Sequence, residues 1–371
     1  RLVGRYTDLG GYFHVRSVPG TGDPLVIPSS VKRWPSGREY FLRGTLVVEP
    51  DDKLFVRAKA TYSHSFIRGG SATAYQRVAC PYGAPQGQPD FPCVADRDVY
   101  LGSAPAAAIA LEPDAPTTDG LGQRKNDQFL GTLELRYDIA DGLRATSLTG
   151  YYSYNEVNDH NPSGGPRATV ITPYLPFDMD QFTQEFRLSS DWDGPVNFTG
   201  GLFFEARKTS TQQNGIALIF GPPIAFGEEA ASQKQRAYSA YGQLIFNPVE
   251  PLEISAGLRW SKEKKSLRFF RNDVDLTGNL LNDHLTYDNV SPELTASYHL
   301  NPDIMAFVSY KKGFKSGGFD AGFTNGGILR TPFRNDFAEE HVEGFEGGIK
   351  GNVGRLFLDL VAYTYNYDDL Q

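Results

Sequence analysis

A chain of 371 residues has room for two ordinary domains or one large barrel. A net charge of −8 and a pI near 5.4 argue against nucleic acid as a partner. No apolar run of about 18 residues occurs, so no transmembrane helix is expected, yet a mean hydropathy of −0.38 does not exclude spanning strands, which need only every second residue apolar.

Period-2 alternation predicts strands near 1–9, 38–48, 53–65, 126–138, 143–155, 181–191, 196–208, 235–247, 252–266, 288–300, 303–313, 341–350 and 355–367. Leu54, Val56, Ala58, Ala60 and Tyr62 oppose Phe55, Arg57, Lys59, Thr61 and Ser63. Phe129, Gly131, Leu133, Leu135 and Tyr137 oppose Leu130, Thr132, Glu134, Arg136 and Asp138. Phe182, Phe186 and Leu188 oppose Thr183, Glu185 and Arg187. Leu252, Ile254, Ala256, Leu258 and Trp260 oppose Glu253, Ser255, Gly257, Arg259 and Ser261. The strands at 143–155 and 303–313 alternate less cleanly, and Met305 and Phe307 fall on the otherwise polar face.

Short polar turns join these strands in pairs. They are Glu49–Asp52, Ile139–Gly142, Asp193–Pro195, Asn247–Pro251, Asn301–Asp303 and Gly351–Gly354, and the last five recur roughly every 50–55 residues. Long Gly-, Asn- and Pro-rich connections fall at 66–125, 156–180, 209–234, 267–287 and 314–340. A compact soluble domain rarely carries such loops. The expected strand length of roughly 10–15 residues also exceeds the globular average of about 5–6 and matches the about 9–11 of a tilted spanning strand. The expected fold is therefore all-β: a transmembrane antiparallel β-barrel with short periplasmic turns and long extracellular loops. A β-propeller would need four short strands per period, where two long ones occur. The 20 Tyr and 25 Phe would supply aromatic girdles at the two membrane interfaces. One face must meet outer-membrane lipid, and the charged face must be wet or filled by a polar plug.

The two cysteines, Cys80 and Cys93, share the longest loop, which suits one disulfide in an oxidising compartment. No signal peptide is visible and both ends lie at strands, so residues 1–371 read as a fragment of a longer protein. Chemistry is thinly represented. The histidines at 14, 64, 160, 284, 299 and 341 are scattered, and no metal site or resident cofactor is expected. Neither a Walker loop nor G-x-S-x-G is present, and no enzyme is expected. Gly317 and Gly318 suit a turn where a strand leaves the membrane. Any ligand would be held by loops. The candidates are Arg68, Tyr75, Arg77, Tyr82, His160, Arg167, Tyr174, Arg330 and Arg334, since Arg and aromatic residues suit anionic, catecholate-like or glycan ligands.

The segment Tyr310–Phe319, with Lys315, Ser316, Gly317, Gly318 and Phe319, resembles the strand-end segment of TonB-dependent outer-membrane receptors. Ala256–Trp260, Val290–Glu293, Gly344–Lys350 and Tyr363–Gln371 resemble further barrel strands of that family, in order and spacing. The resemblance implies a barrel of 22 strands around a plug domain, of which about 13 are represented here without plug, TonB box or closing strands. It also implies energised uptake of a scarce nutrient, most often a ferric siderophore, with the TonB complex and the protein's own plug as partners. A passive porin-like diffusion channel and a surface β-repeat adhesin are the alternatives that the alternation leaves open.

Overall fold

The computed structural model describes residues 1–16, 25–69, 94–115, 119–160, 170–218, 222–320 and 334–371. The disulfide expected between Cys80 and Cys93 lies outside them. One large antiparallel sheet dominates, and its thirteen wall strands follow one another in chain order. They are β1 (Leu2–Leu9), β2 (Ser36–Val48), β3 (Leu54–Arg68), β4 (Gln123–Ala140), β5 (Leu143–His160), β6 (Val170–Ser190), β7 (Val196–Ala217), β8 (Ile224–Val249), β9 (Leu252–Arg271), β10 (His284–Asn301), β11 (Ile304–Lys315), β12 (Glu340–Val353) and β13 (Leu356–Asp368). Every expected strand is present.

The turns explain the meander. Asp141–Gly142 joins β4 to β5, with Gly142 at φ +65°, a conformation that L side chains rarely adopt. Asp51 Oδ1 accepts the backbone N–H groups of Lys53 (2.9 Å) and Leu54 (2.8 Å), closing the turn before β3. Asn301 Oδ1 accepts the Asp303 N–H in the same way, at 2.9 Å. Asn197 reaches across the β6–β7 turn and accepts the Trp192 N–H at 2.7 Å.

Strand length departs from expectation. β7 and β8 run for 22 and 26 residues, and they convert most of the expected loop 209–234 into paired strand. β6 and β9 likewise reach into 156–180 and 267–287. The reason lies in Thr209–Asn214 and Ser232–Gln235, where both faces are polar. Beyond the membrane neither face needs to be apolar, so backbone pairing continues where the hydrophobic period has stopped. The expected loop 66–125 also carries structure. Its Asp98–Tyr100 pairs in parallel with Phe13–Arg16, and Ala106–Ile109 forms a single helical turn.

The two faces of the wall follow the alternation. Leu202 (61%), Leu258 (55%) and Phe186 (57%) stand exposed on the outer face, as lipid contact requires and as a soluble sheet could not sustain. An aromatic belt crosses this face toward the long-loop rim. Within it Phe129 stacks near Tyr151 (6.3 Å), Phe204 near Tyr238 (5.2 Å) and Tyr310 near Phe345 (5.0 Å). The polar tips of the belt point toward carboxylates. Tyr62 donates to Asp127 (2.6 Å), Tyr151 to Asp180 (2.9 Å) and the Trp260 indole to Asp288 (2.6 Å). An apolar body with a wet tip is what an interfacial aromatic residue offers.

The irregular strand β5 has its own solution. Ser147 and Thr149 lie opposite Leu135 and Leu133, on the lipid side. There Thr149 donates to Gln184 Oε1 (2.7 Å), and Gln184 Nε2 donates to Ser147 Oγ (3.0 Å) and to the Glu185 carbonyl (3.1 Å). Each group satisfies another, which offsets the cost of polarity in hydrocarbon.

The buried apolar core sits at the long-loop rim rather than in the wall. Ala108, Ile171, Ile216 and Leu218 form one cluster, and Ala231, Leu267, Phe269, Leu280 and Phe319 form another. The strand extensions are thus fixed by side-chain packing as well as by backbone pairing.

The inner wall as candidate functional site

Odd-numbered residues of β6, β7 and β9 and their partners on β8 point inward, because register places them opposite one another. The result is a polar surface that pairs with itself. Arg187 Nη2 lies 2.7 Å from Glu185 Oε1, its Nε donates to Tyr241 Oη (3.1 Å), and Tyr241 donates to Glu185. Beside them Arg259 Nη2 donates to Ser239 Oγ (2.9 Å), and Ser239 and Ser261 share a hydrogen bond of 3.0 Å. Arg259 also lies over the Tyr241 and Phe203 rings at 5.7 Å.

A second network stands nearer the long-loop rim. Gln181 donates to Glu205 (3.0 Å), and Arg207 donates to Gln235. Lys265 Nζ lies 3.5 Å from Glu263 and donates to Ser316 Oγ (2.7 Å) and the Gly317 carbonyl (2.5 Å). Ser316 in turn donates to Glu263 Oε2 at 2.7 Å. Smaller groups continue the pattern: Arg57 and Arg136 flank Glu134, and Glu346 takes Lys311 and the Tyr365 hydroxyl. Phe307 faces inward as expected, with Lys350 Nζ 5.2 Å above its ring. Inward charges are expected to pair with a plug or water. Many pair along the wall, since residues i and i+2 share a face and meet their register neighbours.

The sequence profile described as "TonB dependent receptor-like, beta-barrel" matches residues 61–371. The chain belongs to this family.

As a TonB-dependent receptor barrel, it is an outer-membrane protein, with the short turns on the periplasmic side and the long connections outside. Solved structures share its fold. The ferric yersiniabactin uptake receptor FyuA from Yersinia pestis is 16% identical with a TM-score of 0.69, covering 100% of this chain and 50% of its own. FpvA of P. aeruginosa, solved with pyoverdines, is 13% identical with a TM-score of 0.62, covering 98% of this chain and 44% of its own. The copper transporter OprC is 12% identical with a TM-score of 0.56, covering 99% and 48%. The chain spans about half the length of the structures it matches.

The receptor barrel distributes its sequence-predicted site residues unevenly. Tyr75, Arg77, Tyr82, Arg167 and Arg330 lie outside the described residues, as do the cysteines. Arg68 closes β3 and is held by Asp119, which also accepts the Ser30 hydroxyl at 2.9 Å. His160 ends β5 opposite Thr172. Tyr174 lies opposite Asn214 on β7, and burial together with Asp114, Asp178, Glu112 and Glu228 pushes its phenol up. Arg334 Nε stands 3.6 Å from Asp336 at the far side of the rim.

The family segment is better resolved. Lys315 ends β11 opposite Glu340, and Ser316 is fastened to the inner wall by Glu263 and Lys265. Neither Gly317 nor Gly318 has the positive φ of the chain's turn glycines. They allow close packing instead. A side chain at Gly317 would collide with the Tyr287 hydroxyl and the Phe337 carbonyl, and Gly318 pairs with Phe337 in a short strand. Phe319 is buried in the rim core. Sequence reading missed Glu263 and Lys265 as partners of this segment. Their only sequence signal is a Glu-x-Lys pair on the polar face of β9.

Above the belt the rim holds perturbed acids. Asp98 is held below the ordinary carboxylate range by Arg16, which lies 2.9 Å away. Asp275 is lowered to about 2 by Thr277 and by Arg268, whose guanidinium donates at 2.8 Å. Asp159 behaves in the opposite way. It is 2% exposed, and burial raises its carboxyl to about 7 although it accepts the Gln123 N–H.

Proposed function

We propose that the chain forms part of the wall of a receptor for energised uptake of a scarce nutrient across the outer membrane, with a ferric siderophore as the favoured cargo. The carrying observation is the inner wall, a continuous face of hydrogen-bonded Glu, Arg, Gln, Ser and Tyr running over β6–β9. A polar, self-satisfied wall can release an inner body without exposing apolar surface, as a removable plug requires. The family and the ferric-siderophore receptors among the similar structures support the same reading. OprC, a copper transporter of the same fold, leaves the cargo class wider than siderophores. In this reading the rest of the protein supplies the plug, the contact with TonB and the remaining strands of a barrel of about 22. Cargo is met at the extracellular rim, where Arg68, His160, Tyr174 and Arg334 are the candidates among the described residues.

The test is uptake of iron-loaded siderophores by cells producing the full-length protein, with and without TonB. Accumulation that needs both the protein and TonB is expected. Uptake that persists without TonB, or steady ion currents of the purified protein in planar bilayers, would replace this reading with a diffusion channel.

A further inference from the structure

The outer face of β7–β9 carries a group of cations that outnumber the acids beside them. Two residues beyond Tyr238 in the belt comes Arg236, and two further comes Lys234. Beyond Trp260 come Lys262 and Lys264, and beyond Phe204 comes Lys208. Register sets Lys208 directly opposite Lys234, and Arg236 directly opposite Lys264. Like charges directly opposite destabilise a sheet. Lys208, Lys234, Arg236 and Lys264 are exposed, and none of the four has an ion-pair partner among the described residues. Lys262 pairs with Asp288 at 3.4 Å.

Several other outward cations at this level lie against an acid. Lys312 lies 3.7 Å from Glu343, and His64 contacts Asp127 at 2.8 Å. The acids flanking the array are Asp178, Asp180 and Asp288. Asp180 is opposite Lys208 but accepts the Tyr151 hydroxyl, and Asp288 accepts the Trp260 indole. An excess of cations in a chain of net charge −8 is therefore a local arrangement and not a property of the composition.

We propose that this array is a binding site for the phosphate groups of an anionic lipid of the outer leaflet. Depth supports the assignment. Interfacial Tyr and Trp mark the headgroup level, and tilted strands place the cations roughly 5–11 Å beyond them. Below the array Leu202, Leu244 and Leu258 offer an exposed apolar strip for acyl chains. A soluble phosphate would satisfy the charges but not this strip, so the lipid is the occupant.

The experiment is native mass spectrometry of the full-length protein in neutral detergent. The probes are a diphosphorylated glycolipid (lipid A), its dephosphorylated form and inorganic phosphate. The protein is expected to hold the diphosphorylated lipid about ten-fold better than the dephosphorylated one, with no displacement by equimolar inorganic phosphate. The variant K208Q/K234Q/R236Q/K264Q is expected to lose this preference. A charge-matched variant, K53Q/K125Q/K312Q/R355Q, is expected to keep it. Equal retention of the two lipids, an unchanged preference in the first variant, or displacement by inorganic phosphate overturns the site. A salt titration of the unmodified protein gives a readout that does not depend on any variant folding. Lipid retention should fall steeply as salt screens the array, and a flat response overturns the proposal.

Discussion

At the scale of single residues, the wall is governed by where a polar group can find a partner. Gln184 faces lipid and is tolerated because Ser147, Thr149 and the Glu185 carbonyl take up its hydrogen bonds. Asp159 illustrates the opposite balance. Its carboxyl accepts the Gln123 N–H, but Oδ2 is buried with no hydrogen-bond partner among the described residues. Burial lifts it from the ordinary 3.8 to about 7, so the folded form binds a proton that the unfolded chain has already lost. Its contribution to stability is complete below about pH 4 and is lost as pH rises through 7. Protection of the Gln123 amide in hydrogen exchange, corrected for intrinsic rate, should therefore fall between pH 5 and pH 8. Asp159→Asn should level that dependence; an unchanged fall in the variant would show that another group is responsible.

At the scale of elements, the segment after β11 is held to β9 by charge-assisted hydrogen bonds. The Lys265 side chain is 9% exposed and serves both Ser316 and Gly317. Lys265→Met removes these bonds and leaves Glu263 without its cation. A local loss of about 2 kcal/mol follows, the size of a hydrogen bond to a charged group. Amide exchange over 316–319, read by mass spectrometry, should accelerate by about thirty-fold, with little change in β4 or β5. Unaltered exchange would mean that packing of Phe319 alone holds the segment. The sequence showed the strand ending near Lys315 and the family likeness around it. It did not show the fastening, because the partners lie 50 residues away in another strand and meet only through register.

At the scale of the whole molecule, the wall is an inverted protein, with leucine and phenylalanine outside, ions inside and its packed cores at one rim. A charge placed on the outer face should therefore cost far more than one placed on the inner face. Leu202→Arg is expected to lower stability by about 2–4 kcal/mol in urea unfolding from lipid vesicles. Ser255→Arg, which exchanges one polar inward group for another, should stay within about 0.5 kcal/mol. Similar losses in the two variants would contradict the assignment of faces. The thirteen strands, their order and the identity of the lipid face were all legible in the alternation of residues such as Leu252–Trp260 and in the turns between them. The outer ends of β7 and β8 were not, because the hydrophobic period stops there while backbone pairing persists.

What the sequence determined by itself was the class of wall. Lipid demands an apolar side chain at every second position, and tight turns demand Gly, Asn, Asp and Pro, so both leave a local signature. What only the tertiary structure decided was which side chains stand across from one another. Glu263 meeting Ser316, the Gln184 group on the lipid face and the cations of β7–β9 are products of register. Register is fixed by hydrogen bonds between distant strands, and no local stretch of sequence records it.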